Sequence, residues 1–402
     1  MRILLLMQYF APEAFLKGLP FAKELVRRGH KVEALTGFPN FPGGKVYPGY
    51  KMRLWQREVI EGISILRVPL YPSHDRSAIR RTANFGSFAL SASIGSMFVN
   101  RPDVIYVYHP PATVGLPAMV AKLFHNVPIV YDIQDLWPDT VAATGMVNSG
   151  LVLGLLDKWC RLVYRKSDRI VVLSHGFKDA LIQRGVLESK IDVIYNWCDE
   201  ASITANIGQP VQLGTSGQFT VLFAGMMGLA QGLDSVLDAA RICTDSVPRA
   251  KFVFVGFGVE RERLERKAAD MALGNVEFLP SQPITQIGRY LAGADCLLVH
   301  LKDSPLFRIT IPSKTQAYMA VGKPIIMAVR GDAAELVADS RSGLICEPDH
   351  PESIAKAVRD LASSSSARLT EMGSAGQRFY LKELSLSTGV DRFERTFAAA
   401  TS

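Results

Sequence analysis

Residues 295–324 read DCLLVHLKDSPLFRITIPSKTQAYMAVGKP, and the succession of patterns within them decides the fold. Asp295 to Leu301 is an apolar, β-prone run, as a buried parallel strand requires. Lys302 to Ile311 forms a loop carrying Lys302, Asp303 and Arg308. From Ser313 the spacing turns helical and stops at Gly322, a residue suited to the left-handed position beyond a helix. Ser313 and Gln316 fit the S-x-x-Q capping box. The unit therefore gathers Lys302, Arg308 and Lys314 around a helix N-terminus at the carboxyl end of a strand. Open α/β sheets bind ligands there, and the unpaired N–H groups of a helix N-terminus favour phosphate. An ordinary βα unit with solvated lysines fits this stretch equally well.

Working outward, the same alternation fills both halves of the chain. Before residue 198, strands at Ile3–Met7, Val32–Thr36, Ile63–Val68, Val104–Tyr108, Pro128–Ile133, Ile170–Ser174 and Ile191–Tyr195 alternate with helical segments. A polar stretch, Ala201–Gly217, reads as a linker or surface loop. A second series then begins with Phe219–Ala224, the glycine turn Gly225 to Gly228, and Lys251–Val255. The chain of 402 residues exceeds one typical core, so the expectation is an α/β protein of two Rossmann-like, doubly wound domains. The expected division is 1–198 and 199–384. A last helix, about 385–402, should return to the first domain because Phe393 and Phe397 need a surface.

Lys17 and Gly18 stand just before the first helix, where backbone can approach a phosphate. Residues 37–50, GFPNFPGGKVYPGY, form an aromatic loop long enough to suggest binding. His109, Gln134 and Asp135 are delivered to one rim by two strand ends. Gly256 belongs to a GxG that lacks the third glycine of a dinucleotide fingerprint.

Residues 1–198 carry 24 Lys/Arg against 15 Asp/Glu, and residues 199–402 carry 21 against 23. A basic first half implies an anionic partner; no basic run interleaved with aromatics marks nucleic acid. Five scattered cysteines without CxxC, and no HxxxH, HExxH or DxD, argue for a reducing compartment and against a metal site. Residues 82–100 are uncharged and follow Arg76, Arg80 and Arg81, so they form either a core helix or an interfacial one. In the second case Phe85 and Phe88 would enter the lipid. The stretch is too short and serine-rich to span a bilayer.

Five motifs in this order resemble the retaining glycosyltransferases of family four, with GT-B fold. They are YFAPE with RRGHKVEALTGFPN, PIVYDIQDLWPD (128–139), VLFAGMMGLAQGLDSVLDAA (221–240), IPSKTQAYMAVGKPII (311–326) and AAELVADSRSGLICEPDHPESIAKAV (333–358). The resemblance implies two domains facing a central cleft. It also implies a metal-independent enzyme with no cofactor, whose substrate is a nucleotide-diphosphate sugar, with UDP the expected carrier. The acceptor implied is a polyprenyl-diphosphate-linked oligosaccharide for bacterial surface polysaccharide, O-antigen or capsule. The implied place is the inner face of the cytoplasmic membrane. Donor contacts fall on Lys314, Arg308, Lys302, Ser313, Gln316, Glu335, Gly225, Gly228, Gln231 and Gly256. Gln134, His109 and Asp135 would act at the acceptor, and Lys17 with Gly18 would meet phosphate. The family's E-x7-E carboxylates align on Arg308 and Gln316, or one residue later on Ile309 and Ala317. Its diphosphate Arg and Lys align on Met226 and Gln231, and its rim histidine on Gln134.

Overall fold

The computed structural model describes residues 1–73, 78–143, 147 and 149–402. They form two α/β units, 1–194 with 389–402, and 195–388.

The first unit carries an eight-stranded sheet. Its strands are β1 (Arg2–Leu6), β2 (Lys31–Gly37), β3 (Gln56–Ile60), β4 (Ile63–Val68), β5 (Val104–His109), β6 (Ile129–Ile133), β7 (Arg169–Val172) and β8 (Ile191–Val193). The order is β3-β4-β2-β1-β5-β6-β7-β8, parallel except for the β3–β4 hairpin. Strand order reverses between β1 and β5, which makes their carboxyl ends the binding crevice of the unit. The connecting helices are α1 (Leu19–Arg27), α2 (Ala78–Gly95), α3 (Gly115–His125), α4 (Asp139–Ala143), α5 (Gly150–Lys166) and α6 (His175–Gln183). The β1, β2, β5 and β6 runs are almost wholly buried, as helices on both faces demand.

The second unit begins with α7 (Glu200–Thr204) and builds a six-stranded parallel sheet. Its strands are β9 (Phe219–Met226), β10 (Ala250–Phe257), β11 (Val276–Leu279), β12 (Cys296–His300), β13 (Ile325–Ala328) and β14 (Gly343–Ile345), in the order β11-β10-β9-β12-β13-β14. The switch point lies between β9 and β12. Around the sheet pack α8 (Asp234–Ser246), α9 (Arg261–Asp270), α10 (Ile284–Gly293), α11 (Pro305–Arg308), α12 (Ser313–Val321), α13 (Asp332–Ser340), α14 (Pro351–Ala362) and α15 (Ser366–Phe379). One core lies under α8 and α14, a second under α12 and α13.

The last helix, α16 (Leu386–Thr401), sets Phe393 against Phe21 and Tyr106, with ring centroids 5.0 and 5.5 Å apart. Its Glu394 meets Arg28 at 2.8 Å. Residues 201–217 are not a free linker. Glu200–Thr204 is helical, Leu213 is buried, and Val211 N–H donates to Arg289 O at 3.1 Å. The units divide at 194/195 instead of 198/199, because Cys198 N–H donates to the Tyr380 hydroxyl and thus joins the second unit. The β3 hairpin had a sequence signal, Glu61-Gly62. Both residues take the left-handed conformation of a tight hairpin turn, at φ 48° and 83°.

Candidate active site

In the second unit, α12 follows the loop after β12 and brings Lys314 to the switch point. The Lys314 ammonium lies 4.6 Å from the centre of the Phe223 ring. A Cβ placed on Gly225 would come within 3.0 Å of Lys314 Nζ. Gly225, the last residue but one of β9, has φ +126°, so glycine serves there both the backbone conformation and the close approach of the lysine. No carboxylate pairs with Lys314 among the described residues. Burial without a counter-charge pushes its pKa down to about 8. An unpaired, desolvated cation at a strand's carboxyl end is poised to gain from an anion. Beside it the Thr315 hydroxyl is buried with no hydrogen-bond partner among the described residues, a polar group the sequence reading missed.

The glycine turn is held by its own contacts. Gly228 N–H donates to Gln231 Oε1 at 2.9 Å, so that side chain closes the turn. His300, at the end of β12, accepts at Nε2 from Asp349 N–H (3.1 Å). Its Nδ1 therefore carries the proton and donates to Gln231 O at 2.6 Å. Gly256 is required by the sheet itself. A Cβ there would strike Gly225 O at 1.9 Å, so its missing side chain permits strand contact between β9 and β10.

Three expectations for this loop are corrected. Arg308 does not stand beside Lys314 as a free cation: its guanidinium makes paired bonds to Asp303 at 2.7 and 2.9 Å, and Arg330 joins the same carboxylate. Ser313 does not cap α12. Pro312, extended at φ −60° and ψ 134°, takes that position, and Ser313 becomes the first helical residue. Gln316 is buried and, with its amide oriented to donate, bonds to Pro312 O (2.9 Å) and Ser313 O (3.2 Å). Lys302 is exposed, its stem packed where a Gly232 Cβ would lie. Glu335 is exposed on the first turn of α13, its carboxylate unpaired among the described residues.

The first unit's rim is built differently. Lys17 does not face the crevice: it is 2% exposed, bonds Asp132 Oδ2 at 2.8 Å, and lies over the Phe393 ring at 5.1 Å. The Tyr106 hydroxyl donates to the same oxygen at 2.6 Å, and Gln134 Nε2 to Asp132 Oδ1 at 2.5 Å. Gly18 is buried under this loop, where a Cβ would press Phe15 O at 3.0 Å. The pair Lys17–Asp132 thus fastens the first loop to β6, leaving Lys17 no reach to a phosphate.

His109 is 1% exposed, lies between the rings of Trp137 and Tyr131, and has no hydrogen-bond partner for either ring nitrogen among the described residues. Burial lowers its pKa to about 3, so it is neutral near pH 7. Asp135 is half-buried without a counter-charge among the described residues, and desolvation raises its carboxyl pKa. Glu13 escaped sequence reading. It accepts from Phe10, Asn40 and Phe41 N–H groups (3.2, 2.8 and 2.7 Å), joining the first loop to the aromatic loop. Tyr9, Phe15 and Phe41 cluster there, with ring centroids 5.2 to 5.6 Å apart.

On the outside of this unit α2 packs on α3 and α3 on α5. Phe88 is fully buried and so cannot enter lipid; Phe85 is partly buried and lies against Trp137 at 6.3 Å. The most exposed apolar side chains here are Ile79 (82%), Leu90 (65%) and Ile94 (59%) on α2, with Phe98 (63%) just beyond its end. Arg80 and Arg81 lie within α2 and not before it; Arg76 falls outside the described residues. Among the described residues no helix is long and apolar enough to cross a membrane.

Residues 19–197 match the family described as Glycosyl transferase 4-like domain, and residues 209–379 match Glycosyl transferases group 1. The putative colanic acid biosynthesis glycosyl transferase WcaI of Escherichia coli K12 is 27% identical over 354 residues, 83% of this chain and 85% of that protein. The solved structure of HepE from Anabaena in complex with UDP aligns with a TM-score of 0.73 at 18% identity, covering 99% of this chain and 100% of that one. A trehalose-phosphate synthase (UDP-forming) from Burkholderia vietnamiensis has the same TM-score at 13% identity, again over 99% of this chain and 100% of that one.

Proposed function

This chain is a glycosyltransferase of the group 1 type with GT-B fold, and from that premise we propose that it moves a sugar from a nucleotide diphosphate to a lipid-linked oligosaccharide acceptor. The observation that carries the reading is Lys314, a desolvated cation without a carboxylate, set against the Gly225 turn. Breaking the sugar–phosphate bond leaves negative charge on the departing diphosphate. Fixed cations and backbone N–H groups at the first turn of α12 would stabilise it without a metal or cofactor. Glu335 would meet the ribose. The acceptor oxygen would attack the same face of the sugar, retaining configuration, while the leaving phosphate takes its proton. His109, neutral at working pH, Gln134 and Asp135 would orient the acceptor in this scheme.

UDP is the nucleotide of choice because a structural neighbour is solved with it. The WcaI likeness supports a surface-polysaccharide product, and an N-acetylated amino- or deoxy-sugar is the proposed cargo. The apolar side chains on α2 support peripheral contact with the inner face of the cytoplasmic membrane, where a polyprenyl-diphosphate acceptor resides. Ile94→Asp should then weaken sedimentation with anionic vesicles severalfold; unchanged sedimentation would remove α2 from the contact.

The test of the transfer itself is acceptor-dependent release of nucleoside diphosphate from a panel of nucleotide-sugars. Lys314→Ala should lower turnover about 10²-fold, the scale of losing one electrostatic contact to the transition state. Near-normal turnover would place the diphosphate elsewhere. A second reading, a donor-binding protein without catalysis, is favoured by the absent carboxylates, since Arg308 is bound to Asp303 and Gln316 is in the core. Donor binding with no acceptor-dependent release would select it.

A further inference from the structure

We propose that the first unit holds a second anion site, for a phosphate ester, in a cavity at the amino edge of its sheet. The cavity, of about 460 Å3, is formed by the last turns of α5, the end of α6 and the turn leading into β8. Helices of a parallel sheet run back against their strands, so the ends of α5 and α6 lie at the edge opposite His109 and Gln134. The inference does not depend on the sugar-transfer reading.

Lys158, Arg161, Arg165, Arg184 and Lys190 line the cavity, and no Asp or Glu does. Cations near helix C-termini are common, because carbonyl groups there are unpaired. Two of the five serve that purpose: Lys190 Nζ donates to Ser167 O at 2.9 Å, and Arg161 donates to Arg184 O at 2.8 Å. Arg161 also meets Asp157, and Arg184 meets Asp139, both carboxylates lying outside the lining. Lys158 and Arg165 have no carboxylate or carbonyl partner among the described residues. Arg161 and Arg165 are one helical turn apart, where like charges destabilise a helix.

Tyr164 also lines the cavity, with its hydroxyl buried beside the Cys160 thiol. Leu162, Val186 and Leu187 complete the wall with aliphatic surface. A phosphate flanked by a short carbon skeleton suits that combination, and the volume is within the range of small-molecule sites. The chemistry is common to an anionic phospholipid headgroup and a free polyol phosphate.

The decisive variant is the exposed pair Lys158→Glu/Arg165→Glu in the full chain, with the melting temperature checked. Lys314→Ala is the parallel control for phosphate binding in the second unit. One probe is sn-glycerol 3-phosphate, titrated calorimetrically at low salt. The other is sedimentation with vesicles of phosphatidylglycerol and phosphatidylcholine, 3:7. The proposal expects wild type to bind at least one probe, weakened about tenfold or more in the double variant and unchanged in Lys314→Ala. Loss of glycerol phosphate binding identifies a free ester as the source; loss confined to vesicles identifies a headgroup. Wild type binding neither probe, or the folded double variant binding as wild type does, overturns the proposal.

Discussion

Each unit places a lysine beside a glycine at the carboxyl ends of its strands, and the two lysines have opposite fates. Lys17 is sealed into the core with Asp132, Tyr106 and the Phe393 ring. Lys314 is less completely withdrawn from water and lies on an aromatic face with no counter-charge among the described residues. A buried pair that satisfies itself fixes structure, whereas a desolvated charge left uncompensated awaits a ligand. The contrast assigns architecture to the first loop and anion binding to the second.

The largest effect should come from breaking the closed pair. Lys17→Met leaves Asp132 buried and unpaired, which costs about 3–5 kcal/mol and lowers the melting temperature of the first unit by about 10 °C. Donor affinity of the folded fraction should be unchanged. Loss of donor affinity with stability intact would return Lys17 to a ligand-binding role and erase the contrast.

A smaller effect, confined to acid, sharpens it. His109 has a folded pKa of about 3, below its ordinary 6.5. The unfolded chain therefore binds the proton first. Stability is fully present above about pH 6.5 and is lost as pH falls toward 3. His109→Phe should remove part of that slope, on the order of 2–3 kcal/mol at pH 4. Parallel stability curves for wild type and variant would show that His109 is not the group responsible.

The sequence made the alternating architecture legible because fully buried parallel strands read as apolar runs, and these recur on both sides of residue 200. Lys314 was legible too, since it lies one residue into a helix directly after a strand and loop. The fate of Lys17 was not. Its partner Asp132 is 115 positions away, and a local pattern carries no trace of a long-range pair. The same holds for Arg308, which the sequence set beside a phosphate and the fold turned onto Asp303. The capping box failed for a local reason: extended Pro312 supplies the cap and moves Ser313 into the helix. Gly256 marked a tight place correctly, but what comes close is Gly225 O of the neighbouring strand.

The most direct test of the central claim is UDP affinity as a function of pH, measured calorimetrically in wild type and Lys314→Met, with GDP alongside. Lys314 titrates near 8 in the free chain, and a bound diphosphate favours its charged form, raising that pKa. Affinity should therefore be level below about pH 8 and fall above it, approaching tenfold per pH unit, with proton uptake on binding. Lys314→Met should bind more weakly and lose the alkaline fall. The same alkaline fall in both proteins, or equal affinity throughout, would contradict the assignment of Lys314 to the diphosphate.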